Sequence, residues 1–376
     1  MKVVIIGPAH PLRGGIADFN EALAKAFQDE GTEVSIYSFS YQYPSFLFPG
    51  TSQFTKDAEP AHLNIRSTIH SLNPISWKKT ASKIIQEKPD LVLVRYWLPF
   101  MAPALGTICR ILRRKGLKVI AITDNVLPHE KRPGDKQLTG YFLRSCKGFV
   151  AMSKSVMEDV KSFIPEASAV FLPHPIYYIF GDIISKESAR QKLGIELNEK
   201  VILFFGFIRA YKGLDLLFDA IADSRLKNLN VKLIVAGEFY EDQKKYFDQV
   251  DKLGIRERIL FHTSYIPKDE VKNFFCASDM VVQPYRDATQ SGITQIAYHF
   301  EKPMLVTNVG GLPEIVTDNL VGYVTETNGR SIADGIFNFF SLNKEVEFSR
   351  NVKSEKERFT WAAFIRGINK LYESIS

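Results

Sequence analysis

Two cations three residues apart, Arg209 and Lys212, stand directly behind an unbroken apolar and aromatic run, Val201 to Phe205. The run reads as a buried strand, Gly206 follows it, and Leu214, Leu217, Phe218 and Ile221 then recur at helical spacing. A strand end, a glycine turn and a helix start together make an anion site, because free backbone N–H groups and the positive end of the helix dipole face the loop. Arginine grips a phosphate with two hydrogen bonds and lysine adds a mobile point charge. The stretch therefore reads as a diphosphate clamp. The plain alternative is a pair of solvated side chains, although cations are poorly placed at a helix N-terminus unless an anion joins them.

Three further groups fall at expected strand ends. Gly14 and Gly15 close the loop after the first strand, where glycine lets backbone approach a ligand or simply makes a tight turn. Thr123 to Arg132 holds Asp124, Asn125, His129, Glu130, Lys131 and Arg132, a set able to polarise a hydroxyl or hold a phosphate, or else to cap a turn and form a surface pair. Pro284 to Gln295 carries Ser291, Gly292, Ile293 and Gln295 into a helix expected at Ile296 to Phe300; its hydroxyl and amide groups suit ribose or hexose, or ordinary N-capping. Gly237-Glu238 places one more carboxylate after the run Lys232 to Ala236.

The elements that must carry these loops alternate. Strands are expected at Lys2–Ile6, Val34–Ser38, Leu91–Val94, Lys118–Ile122 and Gly148–Met152, with amphipathic helices between them and Ser153 as an N-cap. Tyr41 to Ser67 reads as irregular. After a break near Pro173-His174-Pro175 and a polar stretch over Lys186 to Glu199, alternation restarts: strands at Val201–Phe205, Lys232–Ala236, Ile259–Phe261, Met280–Gln283, Met304–Thr307 and Val321–Val324. Continuous apolar strands imply parallel sheets covered on both faces. The expected architecture is α/β, with two Rossmann-like domains facing across a cleft: residues 1–180, residues 181–355, and a tail at 356–376 that packs back on the first domain through Trp361, Phe364, Ile368 and Leu371. Neither first strand is followed by GxGxxG, and there is no P-loop.

With 376 residues, 45% hydrophobic and 24% charged, the chain has the balance of a soluble globular protein. Met1 to Gly7 reads as a strand rather than a signal peptide, and Pro99, Pro103 and Arg110 interrupt the most apolar window. Three scattered cysteines suit a reducing cytoplasm and give no metal spacing. A net charge of +6 suits anionic substrates or an anionic membrane surface. Without an aromatic-interleaved basic stripe, nucleic acid is not expected as a partner.

In the order Gly14-Gly15, Gly206-x-x-Arg209-x-x-Lys212-Gly213, Gly237-Glu238, Ser278-Asp279 and Lys302-Pro303 through Gly310-Gly311-Leu312-Pro313-Glu314, the chain resembles the retaining family 4 glycosyltransferases of GT-B fold. The resemblance covers almost the whole chain. It implies transfer of a hexose-type sugar from a nucleotide diphosphate sugar to a saccharide or lipid-linked acceptor, with retention and without a cofactor or obligatory metal. Surface polysaccharide assembly is the context it implies. Arg209 and Lys212 match the family's diphosphate pair, Gly15 its first-domain loop, and Ser291, Gly292 and Ile293 the loop beneath the donor sugar. Tyr265 and Ile266 match the segment that meets the base. Gly14, Gly206, Glu238 and Gln295 complete the expected donor set, Asp124 joins the two cations as catalytic, and Asn125 and His129 lie on the acceptor side. Two departures stand out. The family's pair of glutamates falls near Asp287 or Ala288 and near Gln295 or Ile296, and Asp124 occupies a position where many relatives have histidine. Loss of the glutamates leaves a non-catalytic binding subunit as one alternative; a nucleotide-sugar epimerase is another. Arg113, Arg114 and Lys115, with Lys131 and Arg132, are the cations expected to meet an anionic bilayer at the inner face of the plasma membrane.

Overall fold

Runs such as Lys-Val-Val-Ile-Ile and Val-Ile-Leu-Phe-Phe are too short and too uniformly apolar for an amphipathic helix; they bury both faces as central strands. The computed structural model describes residues 1–44, 53–55, 58–127, 132–176, 179–288 and 291–375. It divides into two units, Met1–Pro173 with Trp361–Ser376, and His174–Thr360.

The first unit is a parallel sheet of seven strands: β1 (Lys2–Ile6), β2 (Glu33–Tyr41), β3 (Asn64–His70), β4 (Leu91–Tyr96), β5 (Lys118–Thr123), β6 (Gly148–Ala151) and β7 (Ser168–Phe171), in the order β3-β2-β1-β4-β5-β6-β7. Registers such as Val3 with Val34 on one side and Leu91 on the other put β1 at the centre. The chain winds outward from β1 to β3, returns to β4 and winds the other way. The strand order reverses between β1 and β4, where open α/β sheets place their ligand crevice. The C-terminal helix Trp361–Ser374 packs on this unit. Its Trp361 and Phe364 rings meet Phe19 at 5.1 and 5.7 Å, and Lys118 Nζ donates to the Tyr372 carbonyl at 3.2 Å.

The second unit repeats the plan with six parallel strands, β8 (Lys200–Phe205), β9 (Val231–Ala236), β10 (Ile259–His262), β11 (Met280–Gln283), β12 (Met304–Thr307) and β13 (Gly322–Thr325), ordered β10-β9-β8-β11-β12-β13. Alternate side chains of β8 go to opposite faces. Val201 and Leu203 join one buried cluster, Ile202 and Phe204 the other. Here the order reverses between β8 and β11, so the loops after those two strands are neighbours.

Several elements differ from the sequence expectation. The stretch read as irregular contains the end of β2 and the start of β3, a polar edge strand whose Arg66 bonds Tyr37 and Glu87. Edge strand β7 and the helix Asp135–Leu143 carried no recognised signal. The helix after β11 begins at Gly292, capped by Ser291, rather than at Ile296. Ser153 does cap its helix, accepting from the Val156 N–H at 3.2 Å. Among the described residues no helix is long and apolar enough to cross a membrane.

Candidate functional site

In the second unit, β8 ends in Gly206 at φ +99°, a conformation open to glycine. Its N–H donates to the Ala236 carbonyl at 2.8 Å, which ties the end of β8 to the end of β9. Gly237 follows with φ +138°, and a side chain there would run into the Gly206 carbonyl. The two glycines thus let two backbones touch at the strand ends. Ile208 N–H then donates to the Glu238 carbonyl at 2.8 Å, and Glu238 itself is half-buried.

Arg209 caps a short 3-10 turn, Ala210–Lys212, that leads through Gly213 (φ +67°) into the helix Leu214–Ile221. A Cβ at Gly213 would collide with the Pro284 carbonyl, so the turn lies directly on the loop after β11. Arg209 is exposed, its guanidinium carbon 5.1 Å from the Tyr240 ring centre. Lys212 is only 8% exposed. Its ammonium lies 5.7 Å from the Tyr285 ring centre and 3.1 Å from where a Gly206 Cβ would stand; Ile293 Cδ1 is 3.3 Å from that same point. Among the described residues no carboxylate pairs with either cation. Burial, reinforced by Arg209, lowers the Lys212 pKa to about 8. A buried, uncompensated ammonium beside a second cation is an arrangement that an anion completes.

The loop after β11 supplies the opposite wall. Tyr285 is buried, which raises its phenol pKa, and its hydroxyl lies 3.4 Å from Ser291 Oγ. Ser291 Oγ accepts from the Ile293 N–H at 3.2 Å and caps the helix Gly292–His299. Gln295 lies on this helix, 1% exposed, with Oε1 unpartnered among the described residues. Tyr265 is exposed after β10, and Ile266 packs against the core. Gly206, Lys212, Ser291 and Ile293 are thus brought together through direct contacts, joined by Tyr285. Arg209, Glu238, Gly292 and Gln295 are borne on the same loops or the helix they lead into. Thr289 and Gln290 lie outside the described residues.

In the first unit, Gly14 (φ +120°) precedes and Gly15 begins the helix Gly15–Asp29, and a Cβ at either would meet nothing within 4 Å. Asp124 follows β5. Its carboxylate takes a fork from Arg95 of β4: Nε donates to Oδ2 at 2.6 Å and Nη2 donates to Oδ1. Arg95 is 3% exposed, with its guanidinium carbon 3.9 Å from the Phe19 ring centre. Asp124 is therefore fixed in orientation rather than free in a loop. Asn125 Oδ1 is buried without a partner among the described residues. His129, with Glu130 and Lys131, lies outside them.

Four participants were not singled out from sequence: Arg95, Tyr285, and the pair Asp215–Arg286 described below. Arg95 had a signal, since a cation inside the apolar strand Leu91–Tyr96 requires a buried counter-charge.

Residues 13–176 match the family model Glycosyltransferase Family 4, and residues 185–357 match Glycosyl transferases group 1. The uncharacterized glycosyltransferase MJ1607 of Methanocaldococcus jannaschii is 25% identical over 96% of this chain and 95% of its own length. A D-inositol 3-phosphate glycosyltransferase of Corynebacterium efficiens is 23% identical over 75% of this chain and 70% of its own. Among solved structures, Anabaena HepE in complex with UDP superposes with TM-score 0.74 at 15% identity, covering 100% of both chains. The lipopolysaccharide outer core galactosyltransferase WaaB, in its apo form, gives 0.71 at 14%, over 100% of this chain and 99% of that one. With two parallel α/β sheets and matched segments over both, this chain belongs to the family 4 glycosyltransferases and has the GT-B fold.

Proposed function

We propose that the chain is a retaining hexosyltransferase that uses a nucleotide diphosphate sugar as donor and a saccharide or lipid-linked acceptor, in surface polysaccharide assembly. The observation that carries the donor class is the Arg209–Lys212 pair: two cations without a carboxylate partner among the described residues, one of them buried, on a loop where strand order reverses. As the sugar–phosphate bond breaks, negative charge grows on the departing diphosphate. Preorganised cations in a partly dry site stabilise that charge more than they stabilise the bound donor. Arg209 forks onto one phosphate and Lys212 supplies a proton-bearing point charge.

Gly206 and the Ser291–Ile293 turn offer backbone beside the sugar, and Gln295 offers an amide to a hydroxyl. The base would lie against Tyr265 and Ile266. The first unit would take the acceptor, with Asp124, held by Arg95, presenting a fixed carboxylate to a hydroxyl or to developing positive charge, while Gly14 and Gly15 stay in the proposed donor set. With the leaving charge met by side chains, no obligatory metal is invoked. UDP and UDP-glucose are bound by the structural neighbour HepE, which favours a uridine diphosphate donor as the first trial. Exposed Arg114 and Lys115, with Arg132, are the cations proposed to meet an anionic inner membrane surface; Arg113 instead donates to the Arg144 and Cys146 carbonyls.

The test is NMR of the product formed from a nucleotide sugar of defined anomer, with EDTA present. Retention of configuration is expected. Inversion, or turnover only with added metal, would overturn the mechanism. Interconversion of the donor sugar without acceptor would point to an epimerase instead.

A further inference from the structure

The turn that carries Lys212 does not hold itself in place. Among the described residues its internal ties are two short-range bonds, Lys212 N–H to the Arg209 carbonyl and Gly213 N–H to the Ala210 carbonyl. What fixes it lies more than seventy positions further along the chain. Arg286 N–H donates to the Tyr211 carbonyl at 2.6 Å, and Arg286 Nη1 donates to the Ala210 carbonyl at 3.2 Å. The guanidinium then forks onto Asp215, Nη1 to Oδ1 and Nη2 to Oδ2, both at 2.6 Å. Asp215 stands in the first turn of the helix after Lys212, where a carboxylate also suits the helix dipole. So Arg286 grips the residues on both sides of Lys212 and joins them to the loop that leads to Ser291.

We infer that Arg286, paired with Asp215, is a positioning residue that sets the Lys212 ammonium in the phosphate site. This rests on the proposed reading of Lys212 as a phosphate ligand. An ion pair with side chains 40% and 35% exposed adds little to global stability, because water and salt screen it. Its geometry is nevertheless a two-bonded fork plus a guanidinium bond to the Ala210 carbonyl, more than a solvated surface pair needs. The consequence is local. With the fork intact, the turn is pressed onto Pro284 and Tyr285, and Lys212 is kept dry. Without it the turn keeps the main-chain bond from Arg286 N–H to the Tyr211 carbonyl but loosens at Ala210 and Asp215, and Lys212 gains water. Among the described residues Arg209 is the charged group that acts on Lys212, and the Tyr285 ring centre lies 5.7 Å from its ammonium. The other titratable or charged groups on the elements that carry or adjoin its turn are Tyr211, Asp215 on the next helix, Arg286 and Asp287 on the loop after β11, and Glu238 after β9.

The experiment is calorimetric binding of UDP, GDP and ADP to the full chain between pH 6.5 and 9.5, for wild type, Arg286→Gln, Asp215→Asn and Arg286→Lys, with melting temperatures alongside. The nucleotide that wild type binds most tightly is then followed. Wild-type affinity should fall as pH climbs through about 8, where the free Lys212 loses its proton. Arg286→Gln should bind about tenfold more weakly at pH 7, as a charge-assisted contact is loosened. Its falling limb should move up toward the ordinary lysine value of 10.5, because a better-solvated ammonium holds its proton. Asp215→Asn should reproduce both changes, Arg286→Lys should recover part of the affinity, and melting temperatures should stay within about 2 °C. Comparing variant with wild type on one ligand cancels titration of the ligand itself. Equal affinity with an unmoved limb would overturn the inference while leaving the donor site standing. So would a drop in melting temperature with the limb unmoved, which is a purely structural role. Failure of wild type to bind any of the three would overturn the phosphate site and this inference with it.

Discussion

Replacing Lys212 with methionine should make the ligand-free protein more stable while removing donor binding. Lys212 is 8% exposed, with Arg209 as its charged neighbour and no carboxylate partner among the described residues. Its pKa falls from 10.5 unfolded to about 8 folded, a difference of 10.5 − 8, or about 2.5 pH units. At about 1.4 kcal/mol per unit, keeping the ammonium charged in the fold costs on the order of 3 kcal/mol. Methionine has similar length, no charge, and a flexible thioether that packs against Ile293 and Tyr285. Allowing for imperfect packing, Lys212→Met should stabilise by about 2 kcal/mol, or about 4–8 °C in a unit of this size. The sign with pH is fixed. Below about pH 8 both folded and unfolded lysine are protonated and the penalty is present in full. Between about pH 8 and 10.5 the unfolded chain holds the extra proton, so wild-type stability rises and the advantage of Lys212→Met shrinks toward zero. Urea denaturation at pH 7 and pH 10, with UDP calorimetry at pH 7, checks both halves. A variant less stable than wild type at pH 7, or an advantage that does not shrink by pH 10, would refute the claim that the site stores an uncompensated charge.

Arg209→Ala should weaken nucleoside diphosphate binding by about tenfold or more, since a charge-assisted fork is lost; its side chain is exposed, so the melting temperature should move by no more than about 1 °C. Gly237→Ala should cost about 2–3 kcal/mol in urea denaturation, because its φ of +138° and the adjacent Gly206 carbonyl leave no room for a Cβ. Asp124→Leu should cost about 3–5 kcal/mol by stranding the buried Arg95, and Arg95→Met in the same chain should recover most of it.

What the sequence disclosed follows from which physics is local. Central strands such as β1, β5, β8 and β9 are buried on both faces, so their residues announce them as uninterrupted apolar runs. Edge strand β3, Asn-Ile-Arg-Ser-Thr-Ile-His, has one flank open to water and lacks such a run, and β7 has four residues and is half-exposed. The Arg209–Lys212 pair was legible because a glycine turn between a strand and a helix is itself a local pattern. The Arg286–Asp215 fork was not, since its partners are 71 positions apart and neither has a distinctive neighbourhood. Asp124 was legible as a carboxylate at a strand end, but its tie to Arg95 depends on β4 and β5 lying side by side, with Arg95 registered against Ile122. Buried Gln283, with neither amide atom partnered among the described residues, closed β11 without attracting notice, because a single polar residue at a strand end is ordinary.

The most direct test of the central claim is calorimetric titration of the full chain with UDP, GDP, ADP and their common sugars, in EDTA at pH 7. Saturable binding of one nucleotide class without added metal is expected, lost in Lys212→Met while that variant melts higher than wild type. A folded wild-type protein that binds none of them, or that binds one equally well after the substitution, would contradict it.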